Sequence, residues 1–180
     1  MLLSAKVQAN DFDQASSAYK EGDYKRALVL FDKAAWDGNL NAQWLIGLMY
    51  RDGRGTQKNL TNATSWFYKA ANAGHTGAQT DLARMYARGL GIERSMKKAV
   101  MWYERAANTG DTRARMSLAR LYETGDGIDR DDAKALDLYK QSALHGQTHA
   151  SRDRSRPDGR THVRYELTAR ICCDRLTCES

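Results

Sequence analysis

The side chains of this chain that could do chemistry are three cysteines, a few histidines and one acidic run. None has the spacing a reaction requires. Cys172, Cys173 and Cys178 all lie near the C-terminus, and an adjacent pair followed by a third lacks the C-x-x-C spacing of a zinc knuckle. They read as plain thiols. His75 and His145 stand beside Gly74 and Gly146, positions that suit helix caps rather than a base or a metal ligand, and no nucleophile pairs with either. The run from Asp126 to Asp132 resembles a calcium loop only in its acidity, because it lacks the D-x-D-x-D-G ligand order. Gly53-Arg54-Gly55 is no phosphate loop, since no strand precedes it and no Gly-Lys-Ser/Thr follows. The sequence therefore implies no catalytic residue, no metal and no cofactor.

The chain is instead organised by repetition. Gly38, Gly74, Gly110 and Gly146 share one register, 36 residues apart, as do Ala42, Ala78, Ala114 and Ala150. Tyr50, Tyr86 and Tyr122 keep the same step, and so do the pairs Gly53/Gly55, Gly89/Gly91 and Gly125/Gly127. A fixed period of this length marks a stacked array. Each copy reads as two helices around a glycine turn. In the middle copy Ala78, Leu82, Met85 and Tyr86 fall on one helical face, and Gly89 supplies the positive φ that ends the helix. The second helix starts at Asn59, Ser95 or Asp131, each a residue that accepts hydrogen bonds from free N–H groups. Ala99, Trp102, Tyr103, Ala106 and Ala107 form its apolar stripe, and Gly110 follows its end.

The patterns A-x-x-x-L-A-x-M-Y-x-x-G-x-G-I and K-A-x-x-W-Y-x-x-A-A-x-x-G resemble the Sel-one-like repeat family, relatives of the tetratricopeptide repeat, over roughly residues 40–148. Repeat three departs from the pattern, with Leu138 where Trp66 and Trp102 stand and Ser142 in place of an alanine, which predicts looser packing. The resemblance implies an all-α fold, a right-handed α-solenoid of antiparallel helix pairs, and the role of a non-catalytic interaction scaffold.

In tetratricopeptide-like arrays the first helices line the concave face. That geometry places Phe12, Ser16 and Tyr19 beside Trp44, Leu48 and Arg51, then Thr80, Arg84, Ala87 and Arg88, then Met116, Arg120 and Glu123. The partner-binding residues expected from it are Tyr19, Trp44, Leu48, Arg51, Arg84, Arg88 and Arg120. The copies differ most at these positions: Leu48 aligns with Arg84 and Arg120, and Trp44 with Thr80 and Met116. Trp44 has two readings, as an exposed anchor or as packing against the preceding helix. The implied partner is another protein or peptide with apolar anchors and acidic residues, bound by a monomer.

Composition agrees with this reading. The chain has 180 residues and a net charge of +6, with 42% apolar residues and no run of 18 or more of them, so no membrane span is expected. Basic and acidic residues alternate along the helices, which favours solvated faces over a nucleic-acid patch. A basic nucleic-acid-binding module is one alternative. Another is a secreted hydrolase or β-lactam-binding protein like the cysteine-rich relatives, although the repeats here contain no cysteine.

The domain reading is residues 1–10 as a frayed start or a signal-peptide remnant, 11–39 as a tetratricopeptide-like capping repeat, and 40–75, 76–111 and 112–148 as repeats one to three. Residues 149–180 form a divergent basic tail. That tail, from Ser151, has seven arginines and no lysine, against ten lysines and eleven arginines before it. It reads either as a shifted reading frame or as a capping helix with Val163, Leu167 and Ile171 on one face. The location is cytoplasmic as the sequence stands, and periplasmic or secreted if the start has lost a signal peptide.

Overall fold

A helix in this chain needs a start signal, a run without proline and a stop signal, and the repeats supply all three. The computed structural model describes residues 2–152. Its helices are α1 (Leu2–Glu21), α2 (Tyr24–Trp36), α3 (Leu40–Asp52), α4 (Leu60–Asn72), α5 (Thr76–Arg88), α6 (Met96–Asn108), α7 (Thr112–Thr124) and α8 (Asp132–Arg152). All regular structure among the described residues is helical. Cys172, Cys173 and Cys178, Pro157, and the Val163, Leu167, Ile171 stripe lie outside the described residues.

The start signals are hydrogen-bonding caps in strict register. Asn59 accepts the Asn62 N–H at 2.9 Å, Ser95 that of Lys98 at 3.4 Å, and Asp131 that of Lys134 at 2.9 Å. The first helices have their own series. Asn39 accepts from Ala42 at 3.0 Å, His75 from Ala78 at 3.0 Å and Asp111 from Ala114 at 3.2 Å. Each cap satisfies an amide that the helix itself cannot, a contribution of about 1 kcal/mol.

Glycines stop the first helices and also set the distance between repeats. Gly89 caps α5 at φ 67°, and its N–H returns to the Met85 carbonyl. Gly91, also at φ 67°, has a second constraint: a Cβ there would overlap the Leu60 carbonyl at the start of α4. Gly55 meets the Tyr24 carbonyl at the start of α2 in the same way. The first glycine of each pair reverses the chain, and the second lets the turn rest on the preceding repeat's backbone. Thr64 of α4 adds to that contact by donating to the Leu90 carbonyl at 3.2 Å.

The chain divides after Ala114 into two compact units. In the first unit each helix from α1 to α5 packs on its successor. Small residues at fixed places keep the axes close: Ala34/Ala35, Ala70/Ala71 and Ala106/Ala107 are buried at the ends of α2, α4 and α6. The ring of Phe67 fills the space that a side chain on Gly47 of α3 would need. Phe31, Ile46 and Met49 centre one cluster, with Phe12, Tyr19 and Trp66 packed around it.

In the second unit Leu118, Leu121 and Ala135 are buried. Ser142 is buried as well and donates its hydroxyl to the Leu138 carbonyl at 2.8 Å, so the polar atom is satisfied within its own helix. One expectation fails here. Gly146 was expected to follow a helix end and His145 to sit in a turn, but α8 runs through both to Arg152. Glycine permits the left-handed conformation without imposing it, and the repeat pattern that would turn the chain back breaks down beyond Ala150.

The glycines give a direct test. Gly74 lies at φ 94° with open space around its missing Cβ, so Gly74→Ala adds only backbone strain, about 1–2 kcal/mol. Gly91→Ala adds the same strain plus a clash with backbone, and is expected to cost roughly 3 kcal/mol or more. Thermal melts of the two variants should therefore separate clearly. Equal melting temperatures would remove the inter-repeat role of Gly91.

Candidate partner-binding surface

Trp44, Leu48 and Arg51 stand at offsets of zero, four and seven on α3, and so on one face of that helix. What organises them is Asp81 of α5, a carboxylate whose side chain is only 4% exposed. Trp44 donates its indole Nε1–H to Asp81 Oδ2 at 2.8 Å. Arg84 Nη1 lies 3.2 Å and Arg51 Nη1 3.6 Å from Asp81 Oδ1. A buried carboxylate is tolerated because its lone pairs meet charged and neutral donors together. Arg51 is further held by a two-pronged contact with Asp52, at 2.7 and 3.0 Å. That hydrogen bonding keeps the Arg51 guanidinium above its ordinary pKa and the Asp52 carboxyl below its own. Both arginine side chains remain about a third exposed.

The indole of Trp44 also stacks on the imidazole of His75, with ring centroids 5.1 Å apart. Gly77 leaves room beneath this pair, since a Cβ there would come within 3.1 Å of His75 and 3.3 Å of Trp44. His75 Nδ1 accepts the Ala78 N–H and Nε2 lies 3.0 Å from Asn41 Oδ1. This assigns the neutral tautomer with its proton on Nε2.

The other expected residues are distributed as follows. Leu48 is half-buried and Arg88 is exposed. Tyr19 is half-buried, its ring against Tyr24 at 5.1 Å and Phe31 at 6.3 Å. Arg54, from the Gly53–Gly55 turn, lies over the Tyr19 and Tyr24 rings and donates to the Tyr19 hydroxyl. Phe12 packs on Phe31, and Ser16 donates to the Phe12 carbonyl. Thr80 does not line a surface: it is fully buried, hydrogen-bonded to Asp111 at 3.0 Å and to the Thr76 carbonyl. Arg120, Met116 and Glu123 belong to the second unit, where all three are exposed and Glu123 accepts from the Tyr139 hydroxyl at 3.0 Å.

Sequence reasoning missed Asp81. Its signal was a carboxylate at a place where the neighbouring copies carry Leu45 and Ser117. No group of three or more His, Cys, Asp or Glu residues that could hold a metal ion occurs among the described residues, and no described helix is long and apolar enough to cross a membrane.

Two measurements probe this cluster. Asp81→Ala removes the acceptor of the Trp44 N–H and the counter-ion of Arg51 and Arg84. Because both arginines can regain water, the expected loss is about 1–3 kcal/mol, below that of a fully buried pair, and is read from urea unfolding. His75 gives a pH effect. Burial lowers its pKa from the ordinary 6.5, against the opposing pull of Asp81. The unfolded chain therefore takes up this proton more readily than the folded one. Stability from His75 is complete above about pH 6.5 and declines as pH falls from there towards the lower folded-state pKa. His75→Asn keeps a cap like that of Asn39 and should flatten stability between about pH 6.5 and 5, above the range where the carboxylates protonate. An unchanged pH profile in that variant would assign the effect elsewhere.

The comparisons with known proteins agree with this architecture. No curated protein matches the chain. A Sel1 repeat protein from Oxalobacter formigenes is 32% identical, with a TM-score of 0.72, covering 77% of this chain and 57% of its own length. A protective antigen of uropathogenic Escherichia coli strains displaying an SLR fold is 28% identical, with a TM-score of 0.74, covering 79% of this chain and 32% of its own. The chain thus spans between about a third and somewhat over half of these relatives. The Sel1 repeat model matches residues 17–39, 40–75, 76–111 and 112–147. With four matched repeats on an all-α array of helix pairs, the chain belongs to the Sel1 repeat family.

Proposed function

We propose that this chain is a protein-interaction scaffold that binds a partner segment on the first-helix surface of its first unit. Sel1 repeat proteins are generally non-catalytic interaction scaffolds, and the proposal refines that role to a surface and a ligand chemistry. The observation that carries it is the cluster around Asp81. Trp44 and Leu48 supply an apolar ledge, and Arg51 and Arg84 are fixed by a buried carboxylate while their side chains stay about a third exposed. Pre-ordered guanidinium groups lose little entropy on binding a carboxylate, which favours them as specificity contacts. Arg88, exposed at the end of α5, extends the same helix. The partner is an extended or helical segment with an apolar anchor beside acidic residues.

The test is selection of binders from a random peptide library on the full chain, followed by affinity measurement on the enriched peptide. Arg84→Gln combined with Arg88→Gln is expected to weaken binding about tenfold, or 1.4 kcal/mol, and to reduce its salt dependence. Trp44→Phe keeps the stack on His75 but loses the N–H, and should weaken binding less than the arginine pair does. Peptides that bind the double variant as tightly as the native chain at low salt would refute the assignment.

A further inference from the structure

The charge of the first unit is divided unevenly between its two helix sets. On α1, α3 and α5 five lysines and arginines stand against five carboxylates, and Arg51 and Arg84 are paired with Asp52 and Asp81. The second helices α2, α4 and α6 carry seven lysines and arginines against two carboxylates, Asp32 and Glu104. Three of the seven, Lys33, Lys69 and Arg105, occupy the same register position in successive repeats, are exposed, and make no ion pair with a described carboxylate.

Aromatic rings accompany this column. Trp36 is 70% exposed and meets Trp66 edge-on at 6.2 Å, and Lys69 Nζ lies over both indoles, at 4.5 and 5.1 Å. Tyr68, 49% exposed, meets Trp102 edge-on at 6.3 Å, and Arg105 covers Trp102 at 4.8 Å. An indole left 70% exposed is a costly placement for a large apolar side chain, and here it borders Lys69, which pairs with no described carboxylate.

We infer that the second-helix surface formed by α2, α4 and α6 is a separate docking site for an acidic protein segment, with Lys33, Lys69 and Arg105 taking its carboxylates and Trp36 its apolar residue. Charge complementarity fixes the occupant's sign. The cations recur once per repeat along α2, α4 and α6, so a segment carrying several carboxylates can meet more than one of them. The ammonium of Lys69 is held between two indoles, so it is ordered before a ligand arrives. The site shares no residue with the first-helix surface and stands or falls independently of it.

The experiment uses the full chain and a short fluorescein-labelled peptide with glutamate at every third position and leucine and phenylalanine between, read by anisotropy at low and moderate salt. Binding is expected to weaken about tenfold when the glutamates become glutamines, and by a similar factor in the triple variant Lys33→Gln, Lys69→Gln, Arg105→Gln. Trp36→Ser, at an exposed position, is expected to weaken it several-fold with an unchanged thermal melt. Arg84→Gln with Arg88→Gln should leave it unchanged, which separates this site from the first-helix surface. Phosphatidylserine vesicles and single-stranded oligothymidylate are run as competing probes. No peptide binding at low salt, loss of binding only in the Arg84/Arg88 variant, or triple-variant-sensitive binding of vesicles or oligothymidylate without peptide binding would each overturn the inference.

Discussion

The arrangement of the first unit depends on one close approach, the contact of a glycine backbone with the start of the preceding repeat's second helix. At Gly55 and Gly91 the chain combines positive φ with a distance to the Tyr24 or Leu60 carbonyl that leaves no room for a Cβ. Any other residue would meet both a conformational penalty and a steric one. The contact joins backbone to backbone, so it is insensitive to the side chains around it. It fixes the offset between repeats while those side chains vary, which is how a repeat array separates its fold from its recognition surfaces.

That separation is visible in how polar groups are handled. Structural polar atoms repeat with the period. Gln43 and Gln79 each donate to an alanine carbonyl of the preceding second helix, at 3.0 and 3.2 Å, and Asn39, His75 and Asp111 each cap a first helix. Asp81 does not repeat. Its register partners are Leu45 and Ser117, and it holds an indole and two guanidinium groups in one place. A buried carboxylate that does not repeat is a local exception inside a repeating scaffold.

Trp44 has a structural place that neither sequence reading described. The sequence offered two places for it, exposed or packed against the preceding helix. It is instead half-buried and faces the following repeat, stacked on His75 and bonded to Asp81. Its ring therefore helps to hold α3 against α5. The orientation came from residues 31 and 37 positions away in sequence, which helical spacing on α3 alone does not indicate.

The sequence by itself determined the repeat, its length, the helix pairs, their caps and the glycine turns, because each is a local property of residue type at a fixed spacing. Ser95 caps because its hydroxyl reaches an amide three residues on, and Gly89 ends α5 because only glycine adopts φ 67° without strain. Tertiary structure decided what those elements present to one another. It buried Thr80 against Asp111, gathered Trp44, Arg51 and Arg84 on Asp81, clasped Tyr19 and Tyr24 under Arg54, and left Trp36 exposed beside Lys69. These outcomes depend on contacts between repeats, and a single-repeat pattern carries no information about which neighbour a side chain will meet. They also occur where the copies differ, so the period that made the fold legible is silent at the very positions that distinguish one repeat's surface from the next.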